Sequence, residues 1–269
     1  MQYIEIPPFT NILFKDRKTA EKLAPTITNI DRLISTVEIE LVKRGIRECD
    51  IYHVYPETLY EDMKLVYENK LTFKVIDAVK RYTGFAHKHE KPTTAEETMY
   101  YGALCRSQQS AEEMVQAHRK ADHDKIGELL GYPKCDRKFF IEHWGKGWLD
   151  LVYPTAVNTP GFTEEKGTGH VEYHPYTLTT IRYAGIRVIP YFSHSFTCQP
   201  SIKLGQTIID IANEIDPQTT KQLIQLLTQE HTWTQYMGLI EVTTKDFKIL
   251  AGGWTDKKLT LKLKPAKTV

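Results

Sequence analysis

Two cysteines accompany proline-containing turns, and each lies where the sequence predicts that a helix begins. Cys135 lies in GYPKCDRKFF, and Cys198 lies in SHSFTCQPS. The unpaired amides and the positive end of the helix dipole favour a thiolate over a thiol at such a position. Because His194 precedes Cys198 by four residues, the sequence offers a partial Zn²⁺ or iron ligand set made of Cys135, His194 and Cys198.

Other residues are candidates for the remaining ligand of this set. Asp136 follows Cys135 directly, and the segment AHRKADHDK carries His118 and His123. Histidine and aspartate can ligate a metal or act as general acid and base. Two alternatives stay open: AHRKADHDK is an exposed helix end with mixed charges, and the cysteines are buried and inert, as free cysteines often are.

A third group of polar residues lies in GHVEYHPYTLTTIRYAGIR. Its arginines are suited to holding a phosphate or a carboxylate by bidentate contacts. Surface salt bridges explain the same arginines equally well. The candidate residues of this segment are His170, Glu172, His174, Arg182 and Arg187.

Several well-known site motifs do not occur in the chain. The sequence has no GxxxxGK[ST] loop, no GxGxxG, no HExxH and no GxSxG. The zinc deaminase signature requires PCxxC after HxE, and the stretch PKCDRK does not supply it. These absences argue against the common nucleotide-binding, zinc-protease and serine-hydrolase classes.

The overall charge of the chain is balanced. Lys and Arg number 35 against 34 for Asp and Glu, so bulk charge favours neither a nucleic-acid polyanion nor a membrane as partner. The lysine-rich C-terminal stretch is typical of a solvated strand edge. No apolar run approaches the roughly 20 residues that span a bilayer, and the first residues do not resemble a signal peptide. We therefore expect a cytoplasmic protein with reduced thiols.

The helices and strands that must position these residues predict a mixed, α-rich α/β fold class. Periodicity predicts helices over TNIDRLISTVEIELVKRG and LTFKVIDAVKRYTG, another helix that ends near Ala103, and one from Pro133 to Trp144. The second half alternates helices with strands such as IRVIPYF and KKLTLKLK. We expect a mainly helical region 1–145, a loop 146–169, and an α+β region 170–269 with a small sheet, all packed as one unit.

Two motifs are similar to those of an uncharacterised prokaryotic domain-of-unknown-function family. LGYPKCDRKFF resembles that family's LGYPxCCxxFF, and TTIRYAGIRVIPYFSHSFTCQPS resembles its LRxxGIRxxPHxPCSFxCxxS. The resemblance covers roughly residues 118–205. It implies that the two cysteine-bearing segments belong to one site, and it implies no activity.

The chain departs from the family pattern at two positions. Asp136 replaces the second cysteine of the first motif, and His194 replaces the cysteine before Ser-Phe in the second. Both replacements can themselves bind a metal, whereas an inert buried cysteine would more often become Ala, Ser or Val. The comparison therefore favours one metal site at Cys135, His194 and Cys198, with Asp136 or His123 as fourth ligand or as base beside a metal-activated water.

The leading hypothesis is a metal-dependent enzyme with one Zn²⁺ or Fe²⁺ ion. In it, His123 and Asp136 provide acid–base chemistry, while Arg182, Arg187 and His174 hold a small anionic or nucleotide-type substrate. Two alternatives belong to other classes. One is a structural metal site in a nucleic-acid-binding or interaction module, and the other is a metal-free enzyme with Cys135 as its nucleophile. The sequence leaves the oligomeric state open.

Overall fold

The computed structural model describes residues 9–81, 90–144, 146, 148, 150–253 and 255–266. Within them the chain forms eight α-helices and ten β-strands, which confirms the mixed α/β class. The helices are α1 Arg17–Lys43, α2 Leu59–Glu68, α3 Gln108–Arg119, α4 His123–Leu129, α5 Lys134–Trp144, α6 Val152–Val157, α7 Gln199–Ile215 and α8 Pro217–Leu227. The strands are β1 Thr10–Phe14, β2 Cys49–Val54, β3 Thr72–Lys80, β4 Thr98–Cys105, β5 Thr163–Glu165, β6 Thr168–Tyr173, β7 His231–Tyr236, β8 Leu239–Thr243, β9 Phe247–Gly252 and β10 Leu259–Pro265.

The described residues divide into two compact units. One consists of residues 9–35 together with the chain from 142 onward, and the other consists of residues 36–81 and 90–141. Residues 146–169, which the sequence predicts as a loop, include α6 and β5. No helix among the described residues is both long and apolar enough to cross a bilayer.

The second unit contains a three-stranded antiparallel sheet in the order β2-β4-β3. The predictions of helices over LTFKVIDAVKRYTG and up to Ala103 are wrong for the described residues, because 72–80 and 98–105 are strands; residues 82–84 lie outside the described part. A register shift between Val75 and Asp77 interrupts the alternation of β3. Phe73, Val75, Ile76 and Val79 therefore fall at a spacing that resembles a helix.

One face of this sheet packs against α3. Cys49 and Cys105 stand directly opposite each other on β2 and β4, and they form a disulfide. Both are fully buried in a core that also holds Ala111 and Met114 of α3. The expectation that all four thiols are reduced is wrong for this pair; Cys135 and Cys198 are the free cysteines.

The first unit contains a seven-stranded sheet in the order β1-β9-β8-β7-β10-β6-β5. β10 runs parallel to β6, and the other neighbours are antiparallel. Alternate residues of the central strands are buried on one face, as Trp233, Val242, Ile249 and Leu261 show, while the opposite face carries polar side chains. The predicted C-terminal sheet is therefore present and larger than expected, but the prediction of a strand over IRVIPYF is wrong, because none of the described residues between β6 and β7 forms a strand.

His231 opens β7 as a buried, neutral histidine. Its Nδ1 donates to the Gln229 carbonyl at 3.0 Å, and its Nε2 accepts from the Thr180 hydroxyl at 2.5 Å. Burial lowers the pKa of His231 to about 4, against the smaller opposing effect of the Gln229 carbonyl. The imidazole thus gains a proton near pH 6.5 in the unfolded chain but only near pH 4 in the fold.

Acidification from pH 6.5 to 4 is therefore expected to destabilise the protein through His231. In this window the unfolded chain binds one proton more than the fold, so the free energy of unfolding falls by up to about 3 kcal/mol. His231→Asn removes this contribution and should show a flatter decline in urea titrations at pH 7, 6, 5 and 4. Equal pH slopes for the two proteins would contradict the assignment.

Candidate metal centre

The first segment of the candidate site is the turn between α4 and α5. Gly131 ends α4 with φ at +71°, a left-handed conformation that suits glycine. The Pro133 carbonyl then accepts the backbone N–H groups of Asp136 and Arg137, each at 3.0 Å, and opens α5. Cys135 and Asp136 are consequently the second and third residues of α5. The predicted proline-assisted helix start thus places both candidate ligands in one helical turn.

The second segment is the loop 193–198, which leads into α7. Residues in and just after α6 hold its backbone. The Thr155 hydroxyl donates to the Ser193 carbonyl at 2.7 Å, and the Asn158 amide donates to the His194 carbonyl at 2.8 Å. The Thr159 hydroxyl accepts the Phe196 N–H at 2.9 Å. These bonds fix the backbone from which His194 projects.

Cys198 ends this loop as the N-cap residue of α7. Its N–H donates to the Ser195 carbonyl at 3.1 Å, and its own carbonyl accepts the Ile202 N–H at 2.9 Å. The Cys198 side chain makes no capping hydrogen bond to the helix. Pro200 occupies the first helical turn, where no amide hydrogen is needed. The thiol is thus held at a helix start without being used to cap it.

The structure brings Cys135, Asp136, His194 and Cys198 together. Each offers one ligand atom, and these atoms all lie within 4.8 Å of one another. Bonds of roughly 2.0–2.3 Å to a zinc ion leave two ligand atoms at most about 4.6 Å apart, so the group is close to the size that one ion needs. Among the described residues it is the only such group of three or more His, Cys, Asp or Glu side chains.

The burial of these side chains is uneven. Asp136 is 1% exposed and Cys198 is 4% exposed, whereas Cys135 and His194 are partly exposed. A carboxylate is rarely buried to this extent unless it is paired or coordinates a metal. Metal binding requires deprotonated thiols and carboxyl groups, and in that form the two cysteines and Asp136 would carry three negative charges, which a divalent ion would reduce to one. The positive ends of the α5 and α7 dipoles favour the remaining charge.

The other candidate acid–base and binding residues have structural partners of their own. The His123 ring packs edge-on against Phe140 at 5.7 Å, and the His118 ring lies 5.6 Å from that of Tyr101. His174 accepts the Tyr176 N–H on Nδ1 at 3.2 Å, and burial lowers its pKa. Neither His123 nor His118 belongs to the group of four. Their catalytic roles stay predictions.

Arg182 lies beside a buried carboxylate that the sequence analysis missed. Its guanidinium stacks on the Phe192 ring at 4.2 Å. Burial raises the pKa of Asp150. This rise is opposed by hydrogen bonds from the Tyr183 hydroxyl and the Val152 N–H, and by the positive charge of Arg182. No motif surrounds Asp150 in the sequence, so only the fold reveals this partnership. Arg187, by contrast, lies 3.8 Å from Asp31 and is partly exposed.

Comparison of the chain with protein-family models, curated proteins and solved structures gives no match. The resemblance carried by the two cysteine motifs therefore stays a prediction.

Proposed function

We propose that this protein is a metalloenzyme that holds one divalent transition-metal ion through Cys135, Asp136, His194 and Cys198. The observation that carries the proposal is the convergence of these four side chains within 4.8 Å, with Asp136 almost fully buried. Two thiolates and an imidazole suit zinc and also iron. Their deprotonated forms would couple metal binding to proton release.

A catalytic role is favoured over a purely structural one by the exposure of the site. Structural zinc sites are closed by four protein ligands, whereas catalytic sites keep a position open to water or substrate. Cys135 and His194 are partly exposed, which leaves the ion within reach of solvent. The ion would polarise a water molecule or a substrate group. Asp136 would then serve as the exchangeable fourth ligand or as the base.

We also propose that the substrate is a small anion. A small anionic or nucleotide-type substrate suits Arg187, whose side chain is partly exposed, and Arg182 is engaged with Phe192 in the same segment. A hydrolase- or transferase-like reaction agrees with metal activation of water. A cytoplasmic location likewise stays a prediction.

A second candidate function is a metal-free enzyme with Cys135 as nucleophile. The observation that favours it is the same proximity, because His194 lies within 4.8 Å of a partly exposed thiol. A nucleophile needs such a base within reach. Stoichiometric alkylation of Cys135 by iodoacetamide in protein that contains no metal would support this candidate.

Cobalt substitution tests whether the centre is open. The Co²⁺-loaded protein should show thiolate-to-cobalt absorption, and added azide should change its visible spectrum, because an open or exchangeable position accepts the anion. Asp136→Asn should keep the two thiolates and weaken Co²⁺ binding by roughly tenfold or more. Both are measured by visible absorption during Co²⁺ titration.

Asp124→Asn is the control, since Asp124 is exposed, lies outside the group of four and pairs with Arg137 at 2.9 Å. It should match the wild-type titration. A spectrum unchanged by azide would indicate a closed, structural site, and the absence of thiolate-to-cobalt absorption would refute the metal centre altogether.

A further inference from the structure

A groove of about 610 Å³ crosses the polar face of the seven-stranded sheet. This volume lies within the range of small-molecule sites. Its polar lining includes threonine hydroxyls, three lysines and two glutamates. The groove residues that matter here are Thr163, His170, Glu172, Glu230, Thr232, Thr243, Lys245, Lys262 and Lys264.

The strand register arranges part of this lining in a straight row. Lys262 of β10 stands opposite His170 of β6 on one side and opposite Thr232 of β7 on the other. Thr232 in turn stands opposite Thr243 of β8, and His170 stands opposite Thr163 of β5. Neighbouring strands lie about 4.8 Å apart. Five polar side chains therefore follow one another without a carboxylate between them. The Thr243 hydroxyl, at one end of the row, already donates to the Glu241 carboxylate at 3.0 Å, so the donors that the row offers are the other four.

Only some of the lysines in and beside the groove lie next to a carboxylate. Lys264 lies 3.6 Å from Glu230, and Lys248 at the far end of the row lies 3.0 Å from Glu241. Lys245 and Lys262 have no carboxylate partner within the part of the chain that the structure describes. Because Lys262 is at the centre of the row, its ammonium group is the natural anchor for an anion.

The glutamates occupy one edge of the groove only. Glu172 follows His170 by two residues on β6, so it points to the same face one row away, opposite Lys264. Glu230 lies beside that lysine. Carboxylates here would repel the next phosphate of a polyanion but would accept hydrogen bonds from hydroxyl groups. The groove thus offers donors along one row and acceptors along its neighbour.

We propose that this groove binds a small phosphate ester of a hydroxylated molecule, such as a sugar phosphate or a mononucleotide. The phosphate lies on Lys262 and takes a hydrogen bond from the Thr232 hydroxyl. The hydroxyl groups of the ligand reach Glu172. His231 also lines the groove, but both of its ring nitrogens are used within the protein. The proposal is independent of the metal centre.

Calorimetric titration with ribose 5-phosphate, inorganic phosphate and ribose tests the proposal at fixed ionic strength. Ribose 5-phosphate should bind more tightly than inorganic phosphate, and ribose should bind least. Lys262→Gln should weaken both phosphate ligands by roughly tenfold, because it removes a charge-assisted hydrogen bond. Glu172→Gln should weaken ribose 5-phosphate and leave inorganic phosphate unchanged or tighter.

Lys203→Gln is the matched control, because Lys203 is an exposed residue of α7 outside the groove. It removes the same charge and should leave all three titrations unchanged. The proposal is overturned if neither phosphate compound binds, or if Lys203→Gln and Lys262→Gln have equal effects. A 12-nucleotide single strand that binds more tightly than ribose 5-phosphate, and loses that affinity in Lys262→Gln, would assign the groove to a polymer instead.

Discussion

Replacing Cys198 with alanine is expected to abolish stoichiometric metal binding and to remove the stabilisation that the metal provides. Cys198 is the more buried of the two candidate thiolate ligands. Structural zinc sites with four ligands bind with about 10–16 kcal/mol in total, so the loss of one thiolate should weaken the affinity by roughly 100-fold or more. Protein purified without chelator should carry about one equivalent of zinc or iron, and the variant should carry almost none.

The melting temperature provides an independent measure of the metal binding that Cys198→Ala loses. A ligand present at 100 times its dissociation constant stabilises the fold by about 2.7 kcal/mol. Chelation should therefore lower the melting temperature of the wild-type protein and leave that of Cys198→Ala unchanged. Elemental analysis and thermal melts with and without chelator provide the two measurements.

A matched control comes from the next helix. Asp216 is the N-cap of α8 and accepts the Thr219 N–H at 3.0 Å, just as Cys198 is the N-cap of α7. Asp216→Ala should cost about 1 kcal/mol through the lost cap and should keep both the metal and the response to chelator. Full metal occupancy in Cys198→Ala would refute the ligand assignment.

The helix start that carries Cys135 and Asp136 was predictable from the sequence. The hydrogen bonds that hold the loop around His194 were not. Gly131 indicates the end of α4, and Pro133 indicates the start of α5. These two signals are enough to place Cys135 and Asp136 at a helix start. The loop around His194 is held by Thr155 and Asn158, which are 36 to 38 residues away in sequence. No spacing rule links residues so far apart, so only the fold shows that this loop is fixed.

The sheet of the second unit was missed for a different reason. Helix and strand predictions rest on periodicity, and the bulge in β3 shifts the strand period by one residue at Val75. The strand partners that decide the matter are also non-local: Cys49 of β2 pairs with Cys105 of β4 across 56 residues. The seven-stranded sheet was easier to predict, since β7–β10 follow one another with short turns between most of them.

Replacing Asp50 with alanine is expected to destabilise the second unit more than any exposed charge substitution. The Arg47 side chain is completely buried, and its Nη1 lies 3.2 Å from the Asp50 carboxylate. Its Nε and Nη2 have no hydrogen-bond partner among the described residues. Removing one partner of a buried ion pair costs about 3–5 kcal/mol, because the remaining charge is left uncompensated.

The surroundings of Arg47 leave little room for relaxation. A Cβ built on Gly131 would lie 3.1 Å from Arg47 Cγ. The aliphatic part of the Arg47 side chain therefore packs against the turn that precedes α5. Arg47→Leu/Asp50→Leu removes both charges and replaces them with apolar volume. It should recover most of the lost stability, since buried ion pairs are often no better than well-packed apolar residues. Urea denaturation of the disulfide-intact protein measures all three free energies of unfolding.

The outcome distinguishes a buried charge from an ordinary ion pair. Glu21→Ala is the matched control, because Glu21 pairs with Arg17 at 2.8 Å while both side chains are mostly exposed. It should cost no more than about 0.5 kcal/mol. If Asp50→Ala costs as little as Glu21→Ala, Arg47 is compensated elsewhere. If the double substitution is as unstable as Asp50→Ala, the packing around Arg47, rather than its charge, determines the stability of this turn.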